Sequence, residues 1–343
     1  MNSGRKMIGI CLSQAHTFLK TDLVSELDRA ARAEGYGILV FNSSLDYYWS
    51  RKGNNVTRCV YDLIRYDMLA ALVVLHDNIY DMPLLEKMIR LGNEEGIPVF
   101  YLGGIHDHCV SIVDDYAEAY KTIIRHVIRD HHVSDLFFIA GLPEEDNSVL
   151  RLRCFREVLA EFGLPCPEEN IAYGNYIEPV AAEIMRDLIA NRPRLPQAVI
   201  CANDSMAAAV CDELKLNGIR VPEDVIVTGF DGTPTAYLVH PQLTTCNSNP
   251  GELADQVISL IRSFRAGEEL PPVCTHPYSP VLAESCGCAG HFHPRFNALH
   301  TFRQAEAMFN HENATGARRP LNSWIRVDFP DPVCPITATN CPL

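Results

Sequence analysis

Short apolar runs alternate with longer amphipathic stretches along most of the chain. Met7 to Leu12 is apolar and strand-like. Thr21 to Glu34 carries Leu23, Leu27, Ala30 and Ala31 at helical spacing and stops at Gly35. Gly37 to Asn42 (GILVFN) and Leu69 to Leu75 (LAALVVL) are further apolar runs. Pro83 to Asn93 reads as a helix and Ile97 to Leu102 as a fourth strand. Continuously apolar strands separated by helices predict a parallel sheet covered on both faces, because such strands have no solvent side.

The rhythm breaks at Gly103 to His108 and then restarts. Helices are expected over Tyr116 to Asp130, Ser148 to Phe162, Pro179 to Asn191, Ser205 to Asn217 and Leu253 to Phe264. Strands are expected over Asp135 to Ala140, Ile171 to Tyr173, Ala198 to Ala202 and Val225 to Phe230. Two successive α/β units of this kind imply two lobes. After Cys288 the rhythm stops: Phe296 to Asn310 has the pattern of one helix. From Gly316 the chain is Pro-rich and aperiodic, as in a linker or disordered tail.

Composition narrows the partners. The 343 residues are 47% hydrophobic, ample for large cores. The net charge of −14 repels phosphate backbones, so direct contact with nucleic acid is not expected. The densest basic stretch, Arg151, Arg153 and Arg156, sits among acids. No apolar run approaches the roughly 20 residues that span a bilayer. Met7 to Leu12 is also too short for a secretory leader, so a cytoplasmic location without membrane contact is expected. The 13 cysteines are odd in number and scattered. Cys11, Cys59, Cys154, Cys201 and Cys211 lie in apolar or helical stretches, which suits buried thiols better than a disulfide framework.

In doubly wound folds ligands lie at the carboxyl ends of parallel strands. Asp231 follows the strand VIVTGF and can accept from two adjacent hydroxyls; before Gly232 it also suits a turn. Asn203 follows the strand AVICA and offers an amide to a ligand, while Asp204 is expected to cap the next helix. Ser13, Gln14 and His76 stand at strand ends of the first lobe.

Four stretches carry a resemblance to a known family: DDYAEAYKTIIRHVI (Asp114 to Ile128), followed by DLFFIAG; LRLRCFREVLAEFGL (Leu150 to Leu164); QAVICANDSMAA (Gln197 to Ala208); and GIRVPEDVIVTGFDGTPTAYLVHPQLTT (Gly218 to Thr245). In order and spacing the chain resembles, from about Met7 to Ser285, the effector domain of LacI/GalR-type regulators, a fold shared with periplasmic sugar-binding proteins. The last two stretches together are specific, where a lone Gly-Phe-Asp is weak.

The resemblance implies a two-lobed, type I periplasmic-binding-protein-like α/β fold with chain crossovers as a hinge. The first lobe would take 7–104 and about 247–268, and the second 105–246 and about 270–288; 289–343 would be a linker helix and disordered tail. It implies that Arg151 is the pocket arginine, able to make paired hydrogen bonds, rather than a surface helix arginine. It implies that Tyr176 stacks on the ligand. Phe18 would cover the opposite face, with ordinary core packing as the alternative. It also implies a homodimer and a sugar-like or purine-like effector. The family's usual glycine after the pocket arginine is Cys154 here.

Such repressors begin with a helix-turn-helix headpiece, and here the first sensor strand starts at Met7. The ending Glu284-Ser-Cys-Gly-Cys288 resembles sensor domains placed ahead of diguanylate cyclases or histidine kinases. The leading expectation is therefore a small-molecule sensor that passes lobe closure to a signalling output module. The alternative is a LacI-family transcriptional regulator lacking its headpiece, and the third reading is a doubly wound enzyme. Against catalysis, the sequence has no G-x-S-x-G elbow, P-loop or H-E-x-x-H. No cofactor is expected. Cys286, Cys288, His291 and His293 form C-x-C-x2-H-x-H, which is not a usual structural zinc spacing, so a strand end and linker are expected there rather than a metal. The pairs His106/His108 and His131/His132 read as solvated.

Overall fold

The apolar runs become strands with no solvent face. The computed structural model describes residues 6–15, 17–43, 60–75 and 82–289. The first lobe opens with β1 (Met7–Ser13), α1 (Phe18–Ala33), β2 (Gly37–Ser43), β3 (Leu69–Leu75), α2 (Met82–Glu94), β4 (Val99–Leu102) and β5 (Val110–Asp115). The chain then crosses to the second lobe, built from α3 (Ala117–Asp130), β6 (Leu136–Ala140), α4 (Asp146–Glu161), β7 (Ile171–Tyr173), α5 (Glu178–Asn191), β8 (Ala198–Cys201), α6 (Asp204–Leu216), β9 (Ile226–Thr228), α7 (Pro234–Leu238) and β10 (Thr245–Asn247). It returns through α8 (Pro250–Arg265) and β11 (Val273–Pro277) and crosses again to β12 (Ser279–Val281) and a 3-10 turn at Glu284–Cys286.

The first sheet has the order β2-β1-β3-β4-β5-β11 and the second β7-β6-β8-β9. All their pairings are parallel. A small antiparallel pair, β10 with β12, lies where the chain passes between lobes. In β1, Ile8, Ile10 and Leu12 pack with Leu27 of α1 and Val257 and Ile261 of α8, while Cys11 faces Leu85 and Met88 of α2 on the other side. The period of two thus serves two separate half-cores. The second lobe has one core, in which Phe138 of β6 stacks on Phe155 of α4 at 4.9 Å. Cys11, Cys154, Cys201 and Cys211 are buried thiols, and burial pushes each above its ordinary pKa. Cys59, Phe296 to Asn310 and the tail from Gly316 lie outside the described residues. No helix among the described residues is long and apolar enough to cross a membrane.

One boundary departs from the sequence reading. Residues 110–115 and 273–277 belong to the first sheet, as β5 and β11, and not to the second lobe. The break at Gly103 to His108 is a turn inside the lobe, closed by Gly103 N–H donating to Ile112 O at 2.8 Å. The chain therefore changes lobe at 115–117, 247–250 and 277–279. In each sheet successive connections leave in opposite directions, at β1/β3 and at β6/β8. Such reversals open a crevice beyond the carboxyl ends of the strands.

Candidate functional site

At the second lobe's reversal point, α4 begins beside the end of β6. Glu145 caps it, accepting from Asn147 N at 3.1 Å and Ser148 N at 2.7 Å. The same carboxylate accepts from the Tyr176 hydroxyl at 2.8 Å, so the helix start and the loop after β7 are tied together. Asn175 and Tyr176 both adopt left-handed backbone, with φ of 56° and 62°. That turn lays the Tyr176 ring over Gly141, where an added Cβ would stand 2.1 Å from the ring. Only glycine fits there.

One turn into α4, Arg151 points into this corner and is only 8% exposed. Its Nη1 donates to Ala202 O at 2.6 Å, and its Nη2 lies 3.6 Å from Asp231 Oδ1. Its guanidinium sits 3.7 Å from the Phe230 ring centroid and within 6 Å of Tyr116 and Tyr176. Its Nε is buried with no hydrogen-bond partner. Burial opposes its charge, but Asp231 and the surrounding tyrosines hold it protonated. Burial pushes Tyr116 up to about 12, with Arg151 pulling the other way.

Asp231 has φ 107°, rare for a residue with a side chain, and its N–H donates to Cys246 O at 3.0 Å. Beneath it, Asp204 is fully buried. Asp204 accepts from Thr245 Oγ1 at 2.6 Å and from Thr233 N and Oγ1 at 2.7 and 2.9 Å. Burial first, and Asp231 second, push Asp204 up to about 7.

The cap assignment differs from expectation. Asn203, not Asp204, is the N-cap of α6, accepting from Met206 N at 2.9 Å. Its Oδ1 is therefore committed, and its Nδ2 is the group left for a ligand. Asp204 is the first helical residue and acts as the anchor of the Thr233 and Thr245 loops. Sequence reasoning missed the ring wall. Tyr116, Phe230 and Tyr278 pack on one another with centroids 5.0 to 5.8 Å apart. Tyr116 and Phe230 lie inside the quoted motifs, and Phe230 is next to Asp231.

The structure thus gathers Arg151, Asp231 and Tyr176, with Asn203 next to the carbonyl that holds Arg151. Ser13 is buried at the end of β1 in the other lobe, and Gln14 follows with φ 50°. Phe18 opens α1, but its side chain lies outside the described residues, as does His76. A surface groove of about 350 Å³ over α4, lined by Pro143, Val149, Leu152, Arg156 and Tyr173, holds none of these groups.

All three crossings touch the cluster. Tyr116 stands at the first; Asn247, bridged to Asp231, at the second; and Tyr278, stacked on Phe230, at the third. Two parallel-sheet lobes joined by three crossings, with a buried arginine–carboxylate pair at the joint, define a periplasmic-binding-protein-like domain. A periplasmic binding protein-like domain is matched over residues 124–286. The chain is 30% identical over 260 residues to the HTH-type transcriptional regulator GalR of Salmonella typhimurium strain SL1344, covering 76% of this chain and 72% of that protein. It is 28% identical to the HTH-type transcriptional repressor PurR of Vibrio parahaemolyticus, covering 70% of this chain and 69% of the relative. Similar solved folds include a CelR–cellobiose complex, with TM-score 0.65, 21% identity and coverage of 82% and 85%. The lac repressor dimer bound to operator and an anti-inducer is another, with TM-score 0.66, 17% identity and coverage of 83% and 95%. The chain belongs to the LacI/GalR family. The relatives named here are regulators of transcription and not enzymes, which supports the transcriptional reading above the signalling-output one.

Proposed function

We propose that this chain is the effector-binding part of a LacI-type transcriptional regulator, and that its effector is a small polyhydroxylated, sugar-like molecule bound between the lobes. The observation that carries this is the Arg151–Asp231 pair. A buried guanidinium with an unmet Nε–H faces a carboxylate on strained backbone, walled by aromatic rings. Strained backbone persists where the surroundings over-determine it, and it clusters at ligand sites. An unmet buried donor costs about 1–3 kcal/mol, which a ligand hydroxyl would recover. Asp231 accepts from hydroxyls, Asn203 Nδ2 donates, and Tyr176 offers its face to the apolar side of a sugar ring. The cellobiose held in the CelR complex, whose fold is similar, favours the sugar class.

The crossings supply the mechanism. Effector contact with Arg151 and Asp231 acts on groups already packed against Tyr116, Asn247 and Tyr278. Binding therefore biases the lobe arrangement by its differential affinity for the two states, and no more. We expect no direct DNA contact by this part of the chain; in support, several helix arginines are paired with carboxylates, as in Arg32–Asp28, Arg125–Glu161, Arg186–Glu213 and Arg262–Glu34. We expect a homodimer, as the lac repressor relative is described.

A thermal-shift screen against monosaccharides, disaccharides, sugar phosphates and nucleobases tests the reading. A ligand in large excess should stabilise the fold by about 2–4 kcal/mol. The hit should vanish in Arg151→Ala and Asp231→Ala. A nucleobase hit would replace the sugar class with purines. A hit unaffected by both substitutions would place the site elsewhere.

A further inference from the structure

Cys286 and Cys288 have two histidines of the second lobe facing them, one from helix α3 and one from the residue that ends it; His291 and His293 lie outside the described residues. His126 lies in the last turn of α3 and His131 is the residue that ends it. His126 Nε2 is 3.0 Å from His131 Nε2, 3.3 Å from Cys288 Sγ and 3.8 Å from Cys286 Sγ. His131 Nε2 is 3.6 Å from Cys288 Sγ. All four ligand atoms lie within 4.8 Å of one another. His132 is exposed, as its sequence pair suggested, but His131 is turned inward.

We propose that His126, His131, Cys286 and Cys288 form a structural zinc site that clasps the segment leaving the second lobe onto the end of α3. Two thiolates and two imidazoles are the donor set of closed tetrahedral zinc. Bonds of about 2.05 Å to nitrogen and about 2.3 Å to sulfur imply tetrahedral edges of about 3.3 Å for N–N and about 3.6 Å for N–S. The N–N edge of 3.0 Å and the N–S edges of 3.3, 3.6 and 3.8 Å lie near these values, and the remaining pairs are within 4.8 Å.

The surroundings hold the donors in this pose. His126 Nδ1 bonds Asp130 Oδ2 at 2.6 Å, and Arg129 holds that carboxylate through two hydrogen bonds. A proton on Nδ1 leaves the Nε2 lone pair pointing into the cluster, the usual orienting device of ligating histidines. The His126 and His131 rings meet edge to face at 84°, so their nitrogens converge on one point. Gly287, at φ 90°, reverses the chain between the cysteines and brings both sulfurs to one side. Ser285 fixes the turn from behind, donating to Val227 O at 2.6 Å. With four protein ligands no coordination position stays open, so the role is structural. The site also sits at the amino end of the second sheet, since His131 precedes β6, whereas Arg151 and Asp231 lie at the carboxyl ends. It is independent of the effector reading.

Metal analysis of the full chain, purified under reducing conditions without chelator, tests this. One zinc per chain is expected. Cobalt(II) added to the metal-free chain should give tetrahedral d–d bands with thiolate-to-metal charge transfer. His126→Ala and Cys288→Ser should lose both signals, while His132→Ala and the pair His291→Ala/His293→Ala should keep them. Failure of the reduced, metal-free chain to take up zinc or cobalt would overturn the proposal. So would metal lost on changing His291 and His293 but retained without His126. The metal content and cobalt spectrum are read on the unmutated chain, so the test survives a variant that fails to fold.

Discussion

The buried carboxylate of Asp204 makes the stability of the second lobe pH-dependent in a direction opposite to an ordinary surface acid. Its pKa is pushed from 3.8 to about 7, chiefly by burial and then by Asp231, against the hydrogen bonds from Thr245 and Thr233. In the unfolded chain it titrates near the ordinary value. Between those values the native state holds a proton that the unfolded state has lost, so stability falls as pH rises. The contribution is fully present below about pH 4 and gone above about pH 7. A rise of about 3 pKa units is worth about 4 kcal/mol across the whole window. Asp204→Asn cannot titrate and should not show this loss. Urea titrations of both proteins at pH 5, 6, 7 and 8 isolate the group, because other titrations are common to the pair. The stability of the wild type relative to Asp204→Asn should fall by about 3 kcal/mol from pH 5 to pH 8. Asp231→Asn removes the neighbouring charge and should shrink that slope. A difference between the two proteins that is flat in pH, or rises with pH, would refute the reasoning.

Arg151→Ala should abolish effector binding in calorimetry and cost about 3–5 kcal/mol in urea unfolding, because Asp231 loses its buried cation and Ala202 O its donor; full binding or unchanged stability would count against the site. Gly141→Ala should displace Tyr176, costing about 1–3 kcal/mol from overpacking and weakening effector binding, while Gly163→Ala at an open turn should leave binding intact. Ser285→Ala should cost about 1–3 kcal/mol for each backbone group left unmet, Val227 O and Thr244 N, without changing effector affinity; a loss below about 0.5 kcal/mol, the range of ordinary surface changes, would show that water replaces the hydroxyl.

Local signals were legible, and contacts between distant segments were not. The strand–helix rhythm is written in continuous apolar runs such as LAALVVL, whose burial on both faces the structure shows. β11 (VCTHP) has no such run, because it is an edge strand with Val273, Thr275 and Pro277 exposed. It and β5 declare their lobe only by pairing. The Asn203/Asp204 exchange has the same origin. Both residues can cap, and the choice was decided by Thr233 and Thr245, some 30 and 40 residues downstream, which claim the Asp204 carboxylate. At the proposed effector site, Asp231 stood out as a polar group at a strand end and Arg151 only through the family resemblance, and their closeness rests on a contact across 80 positions. The histidine–cysteine cluster lies furthest from view. Its halves are about 160 residues apart, and the nearer His291 and His293 offered a more obvious pairing. What unites these cases is that each partner has an adequate local role. Asp204 is a helix-start acid, His131 a helix terminator and Cys288 a turn residue. A second role appears only when the sheets fix which ends of which helices meet. Long-range polar clusters are therefore where a sequence reading of this fold most needs the structure.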